Sequence, residues 1–186
     1  SASEIMQVVR ILECTSETKS YYNESEVKNI SFEILFQNLV TLIDVQNEVR
    51  RCIIGEEEIA DDASVELRNI RRQLKILQGR VKEKLNEMLN SQTYRNMLQE
   101  PVITVKDERY CLPVKAEYKS QFKGIVHDQS STGATLFIEP LAAIEINNKI
   151  KEFEKKEKEE KQSIIPVIIF SIVIVVILII VFVVLK

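Results

Sequence analysis

Residues 101–140 read PVITVKDERYCLPVKAEYKSQFKGIVHDQSSTGATLFIEP, and this stretch decides the fold class. Four short runs rich in β-branched and aromatic residues, Val102–Val105, Tyr110–Ala116, Gly124–His127 and Ala134–Ile138, alternate with polar segments suited to turns. Those segments are Asp107-Glu108, Lys119–Gln121 and Ser130–Gly133. The pattern predicts a small antiparallel sheet of three or four strands.

On both sides the periodicity is helical. Upstream, Leu67, Ile70, Leu74, Leu77 and Val81 recur at three- and four-residue steps, the seam of a long helix that packs against others in coiled-coil fashion. Asp62 or Ser64 supplies a capping oxygen at its start, and the reading carries it to about Leu98 before Pro101. Earlier still, Ile5, Val8, Val9 and Leu12 predict a helix over Glu4–Cys14. The polar run Thr15–Asn29 is read as a break, and a second helix extends from about Phe32 to Ile53. Downstream of Pro140, Ile146, Ile150 and Phe153 mark another helix, with Glu152–Lys156 and Glu154–Lys158 as four-apart ion pairs.

The expected class is α+β, mainly α: long helices packed as a bundle, a small antiparallel sheet, and a helix running into an apolar C-terminal helix. The corresponding regions are a helical 1–100, the sheet at 101–140, a charged helix at 141–163 and an apolar, transmembrane-like segment at 164–185.

Composition narrows the functional classes. The 25 basic and 28 acidic residues leave a net charge of −3, so nucleic-acid contact has to be local rather than a property of the whole surface. Cys14, Cys52 and Cys111 lie far apart without metal spacing and read as reduced, cytosolic and buried. The opening residues Ser1-Ala2-Ser3-Glu4 carry no initiator methionine and no secretory pattern, which suggests a start within a longer protein.

Two stretches carry a family resemblance. RYCLPVKAEY (Arg109–Tyr118), GIVHDQSSTGATLFIEP (Gly124–Pro140) and the pair Asn147-Asn148 closely resemble the signature of the bacterial MutS family, subfamily two. ASVELRNIRR (Ala63–Arg72) resembles the opening of the long helix that precedes that signature. The resemblance implies that 1–100 is core and lever and that 141–163 begins the clamp arm. It further implies a homodimeric, cytoplasmic, mismatch-repair-like parent protein that suppresses recombination on branched DNA and acts in rescue of collided ribosomes. The parent family's ATP and Mg belong to a P-loop ATPase and its cleavage to an Smr nuclease. No phosphate-cradling P-loop sequence occurs in this chain, so no catalytic residue, cofactor or metal is expected in it.

His127 in HDQSS invites a hydrolase reading, but consecutive strand residues face opposite sides, so His127 and Asp128 are expected to hydrogen-bond separately around a turn. Gly124 and Gly133 read as backbone devices, and Asp61, Asp62, Asp107 and Glu108 as caps and turns rather than metal ligands. Arg68, Arg72, Lys75 and Lys82 form a stripe on one side of the long helix, away from its leucine seam, and are the candidate contacts to a nucleic-acid backbone.

The tail resembles nothing in the family. Ile164–Leu185 is almost wholly Ile, Val, Leu and Phe, long enough to cross a bilayer, with a lysine-rich flank before it that would keep the folded part cytosolic. One reading is a membrane anchor on a cytosolic helical adaptor. The other, favoured because the segment lacks the small residues common at membrane helix contacts, is a shift of reading frame within the Lys155–Lys161 run.

Overall fold

The computed structural model describes residues 2–26, 30–55 and 58–184, without side chains for 30, 31 and 178–184. It is mainly helical with one four-stranded sheet, in the order α1 (Ala2–Glu24), α2 (Ile30–Gln37), α3 (Ile43–Cys52), α4 (Val65–Asn90), α5 (Gln92–Arg95), β1 (Thr104–Lys106), β2 (Arg109–Lys115), β3 (Gly124–Gln129), β4 (Thr135–Pro140) and α6 (Leu141–Val184). The α+β class expected from the sequence is the class observed. Leu185 at the end of the apolar run lies outside the described residues.

The chain forms two compact units, 1–68 with 159–186 and 69–158. In the second, α4 supplies Ile70, Leu74, Leu77, Val81, Leu85 and Met88 to a core completed by Leu112 and Val114 of β2, Leu136 and Ile138 of β4, and Ala143 and Ile150 of α6. The seam read from the sequence is therefore the buried face of α4. The sheet has the order β1-β2-β4-β3 and is antiparallel throughout.

Its connections follow from turn chemistry. Asp107 and Glu108 both adopt positive φ, 49° and 61°, which closes β1 onto β2 through two residues. Gly133, at φ 72°, ends the turn into β4. Gly124 faces a different constraint: a Cβ there would collide with the carbonyl oxygen of Glu139, so the close approach of β3 to β4 requires glycine.

In the first unit, Ala2, Ile5 and Val9 of α1 pack with Val49, Cys52 and Ile53 around α3, and Ile165, Ile168 and Ile172 of α6 cover them. Ile59, Leu67 and Ile164 form a second, smaller cluster. Ser64 Oγ accepts the backbone N–H of Leu67 at 2.9 Å, the expected cap of α4.

Three helical readings change. The first helix runs on through Thr15–Glu24, because Thr15, Ser16 and Thr18 donate their hydroxyls to carbonyls one turn earlier and so stay within the helix. Tyr22 then stacks on Phe36 at 4.2 Å. The second helix is two helices, broken between Gln37 and Ile43, where Lys19 Nζ donates to the Leu39 carbonyl at 2.7 Å and satisfies an acceptor released by the break. The third stops at Asn90 instead of Leu98: Gln99 N–H donates to the Pro113 carbonyl and Lys115 N–H to the Met97 carbonyl, so this segment pairs with β2. After Pro140 the charged helix runs on into the apolar one, as expected, with Pro166 inside it. Cys14 is exposed rather than buried, whereas Cys52 and Cys111 are buried and all three are free.

Candidate functional site

Arg68, Arg72, Lys75 and Lys82 all stand exposed on α4. At the helical rise of about 1.5 Å per residue they step along the axis by about 6, 5 and 10 Å. They lie on the side away from the buried seam, as three- and four-residue spacing requires. Arg68 faces Asp62 at 3.9 Å, an open pairing between two exposed groups that leaves the guanidinium free to exchange partners. The Lys82 ammonium lies 5.9 Å from the centre of the Tyr110 ring.

Arg71, adjacent in sequence, does something else. Its Nε donates to Glu157 Oε1 on α6 at 2.9 Å with both side chains mostly buried, so it holds α4 to α6 within the second unit.

A second group of polar residues was not assembled by sequence reasoning. Glu139 at the end of β4 is fully buried and accepts hydrogen bonds from Asn147 Nδ2 at 2.8 Å, His127 Nε2 at 2.6 Å and Arg109 at 3.0 Å. Arg109 also donates to Asn148 Oδ1 at 2.7 Å. Asn147, itself buried, clamps the main chain of Tyr110, donating to its carbonyl at 3.2 Å and accepting its N–H at 3.3 Å. The cluster thereby joins β2, β3, β4 and the first turns of α6.

Burial alone would raise the Glu139 carboxyl, but the bonds from Asn147, His127 and Arg109 outweigh it and hold the group below the usual carboxylate range. Burial is also the main reason that the Cys111 thiol is pushed up to about 12, with Glu139 adding to the effect. An ionised Glu139 with three donors is a satisfied buried charge, which fixes geometry.

This arrangement corrects the expectation for His127. It does not bond around a turn; it reaches across the sheet to Glu139, on a strand irregularity where the β3–β4 register shifts between Val126 and Asp128. Asp128 does stay local, accepting Gln129 N–H at 2.8 Å, and pairs with Lys106 at 2.7 Å. Among the described residues, the hydrogen bonds of His127 and Glu139 go to one another, Arg109 and Asn147. Asp107 and Glu108 form their turn, and no group of His, Cys, Asp and Glu suited to a metal ion occurs among the described residues.

No family model matches the chain. Curated relatives do. Over 155 residues, 83% of this chain, it is 50% identical to "Endonuclease MutS2" of Lachnospira eligens, covering 19% of that protein. The protein of the same name from Lachnoclostridium phytofermentans is 45% identical over 163 residues, 84% of this chain and 20% of its own length. That of Brevibacillus brevis is 47% identical over 116 residues, 62% of this chain and 15% of its own.

Over most of its length the chain is similar to MutS-type proteins. It spans about a fifth of the length of the first two relatives. In this chain α4 presents its basic side to solvent and the Glu139 cluster locks the sheet to the root of α6.

Proposed function

We propose that this chain is the non-catalytic core and lever of a MutS-type protein of subfamily two, and that it contacts the sugar-phosphate backbone of nucleic acid through Arg68, Arg72, Lys75 and Lys82. The observation that carries the reading is the exposed basic row on α4, opposite a buried seam, in a chain similar to proteins named endonucleases. Four cations along one helix can neutralise successive phosphates without reading bases. A polar lock between sheet and α6 suits an element that passes on motion rather than absorbing it.

On this reading ATP and Mg act in the parent protein's other modules, and its homodimer, coiled-coil pairing, cytoplasmic location, recombination-suppressing action and ribosome association are part of the same proposal. Charge reversal of the four residues together is expected to abolish binding of branched DNA or ribosomal RNA in a mobility-shift assay. Unchanged binding with unchanged salt dependence would sink the assignment.

A second reading, a cytosolic adaptor domain anchored in a membrane, is favoured by one observation. Within α6 an 18-residue window reaches a mean hydropathy of 2.1 with only 6% of it buried.

A further inference from the structure

The apolar part of α6 serves two environments that cannot both be satisfied at once. From Ile164 to the helix end at Val184 it is about 21 residues, or about 31 Å, which matches a hydrocarbon core of about 30 Å. Yet Ile164 is buried in the first unit, and Ile165, Ile168 and Ile172 cover the cluster that α1 and α3 form around Val9, Val49 and Cys52. Within the described helix the turns beyond Ile172 run for about 12 residues, or about 18 Å, less than a hydrocarbon core, so a span drawn from the described residues has to include the packed turns. The outward side is already apolar and bare, with Val167 63%, Phe170 65% and Val173 47% exposed.

We propose that this stretch is an exchange element: in water its first turns close the core of the helical unit, and at a phospholipid bilayer the same turns enter the membrane and uncover α1 and α3. The proposal rests on the membrane reading above. The polar atoms within the stretch are few. Ser171 donates its hydroxyl to the Val167 carbonyl at 3.0 Å, so it carries no unsatisfied donor into lipid. Pro166 lacks the N–H that would tie it to the preceding turn, and it stands where α6 would bend as its apolar part changes surroundings.

Nature supplies the reporter. Cys52 lies 3% exposed under this stretch, Cys111 is fully buried in the other unit, and Cys14 is exposed. The full chain is mixed with vesicles of phosphatidylcholine and a minority of phosphatidylglycerol, floated on a gradient, and labelled with a charged, membrane-impermeant maleimide. The expected result is flotation together with a rise of about tenfold in Cys52 labelling, as local opening would give, while Cys111 stays protected. Flotation with Cys52 still protected overturns the exchange and leaves the anchor standing; absence of flotation removes both.

The paired variant Phe170→Lys with Ile174→Lys, placed on the exposed side, keeps the inward face intact. It is expected to stay off the vesicles with Cys52 protected, and vesicle-induced labelling of Cys52 in this variant would overturn the proposal.

Discussion

The two units are closed by different kinds of contact. In 69–158 an apolar seam on α4 meets an apolar sheet face, and a buried carboxylate with three donors fixes where α6 begins. In 1–68 with 159–186 the core is a smaller set of aliphatic contacts, and part of its cover comes from a helix whose other side is equally apolar. The difference is one of specificity: hydrogen bonds with fixed partners and directions admit one arrangement, whereas an all-apolar surface pays little attention to which apolar neighbour it meets.

The largest expected effect tests the lock directly. Glu139→Ala removes the carboxylate that pairs with Arg109 and His127 and leaves the Arg109 charge partly buried without that partner, so a loss of about 3–5 kcal/mol is expected in urea unfolding of the second unit. If the cost is near zero, the cluster is ornamental and the two units do not differ in the way described.

The same group sets a pH dependence. Its carboxyl is depressed on folding, so its stabilising contribution is present above the ordinary carboxylate range and is lost as the pH falls through the lower, folded value. Acid titration followed by tyrosine fluorescence is expected to show a transition that Glu139→Gln flattens; an identical acid limb in that variant would contradict the assignment.

A pair of glycine substitutions sharpens the contrast at smaller scale. Gly124→Ala is expected to destabilise the sheet, because the new methyl meets the Glu139 carbonyl and the Ile138 side chain. Gly79→Ala, in the exposed middle of α4 with open space around it, is expected to stabilise by about 0.5–1 kcal/mol. Thermal melting of both variants reads the difference. Shifts of the same sign and size would mean that close approach at Gly124 is not what the strand pairing demands.

Much of the second unit was legible in the sequence because its determinants are local. The α4 seam, the Ser64 cap and the Asp107-Glu108 turn each depend on residues a few positions apart. The polar cluster was not legible, since Glu139 meets His127 twelve residues away and Arg109 thirty away only once the β2-β4-β3 order is known. The alternation that separated His127 from Asp128 was sound, but it could not name Glu139 as the partner. In the first unit, the polar run from Thr15 reads as a break although its hydroxyls bond back to their own helix, and the helical rhythm between Phe32 and Ile53 hides an interruption of the backbone after Gln37. Of the candidate contacts, sequence spacing alone placed Arg68, Arg72, Lys75 and Lys82 on the open side of α4, where the structure has them. That same spacing leaves out the neighbouring Arg71, which turns inward to Glu157.

The most direct measurement is the salt dependence of nucleic-acid binding by the full chain, read by fluorescence anisotropy on a labelled four-way junction. Four phosphate contacts from α4 are expected to give a slope of log K against log salt of about −3 to −4. A flat salt dependence, or no binding at low salt, would contradict a role for the basic side of α4 in holding nucleic acid.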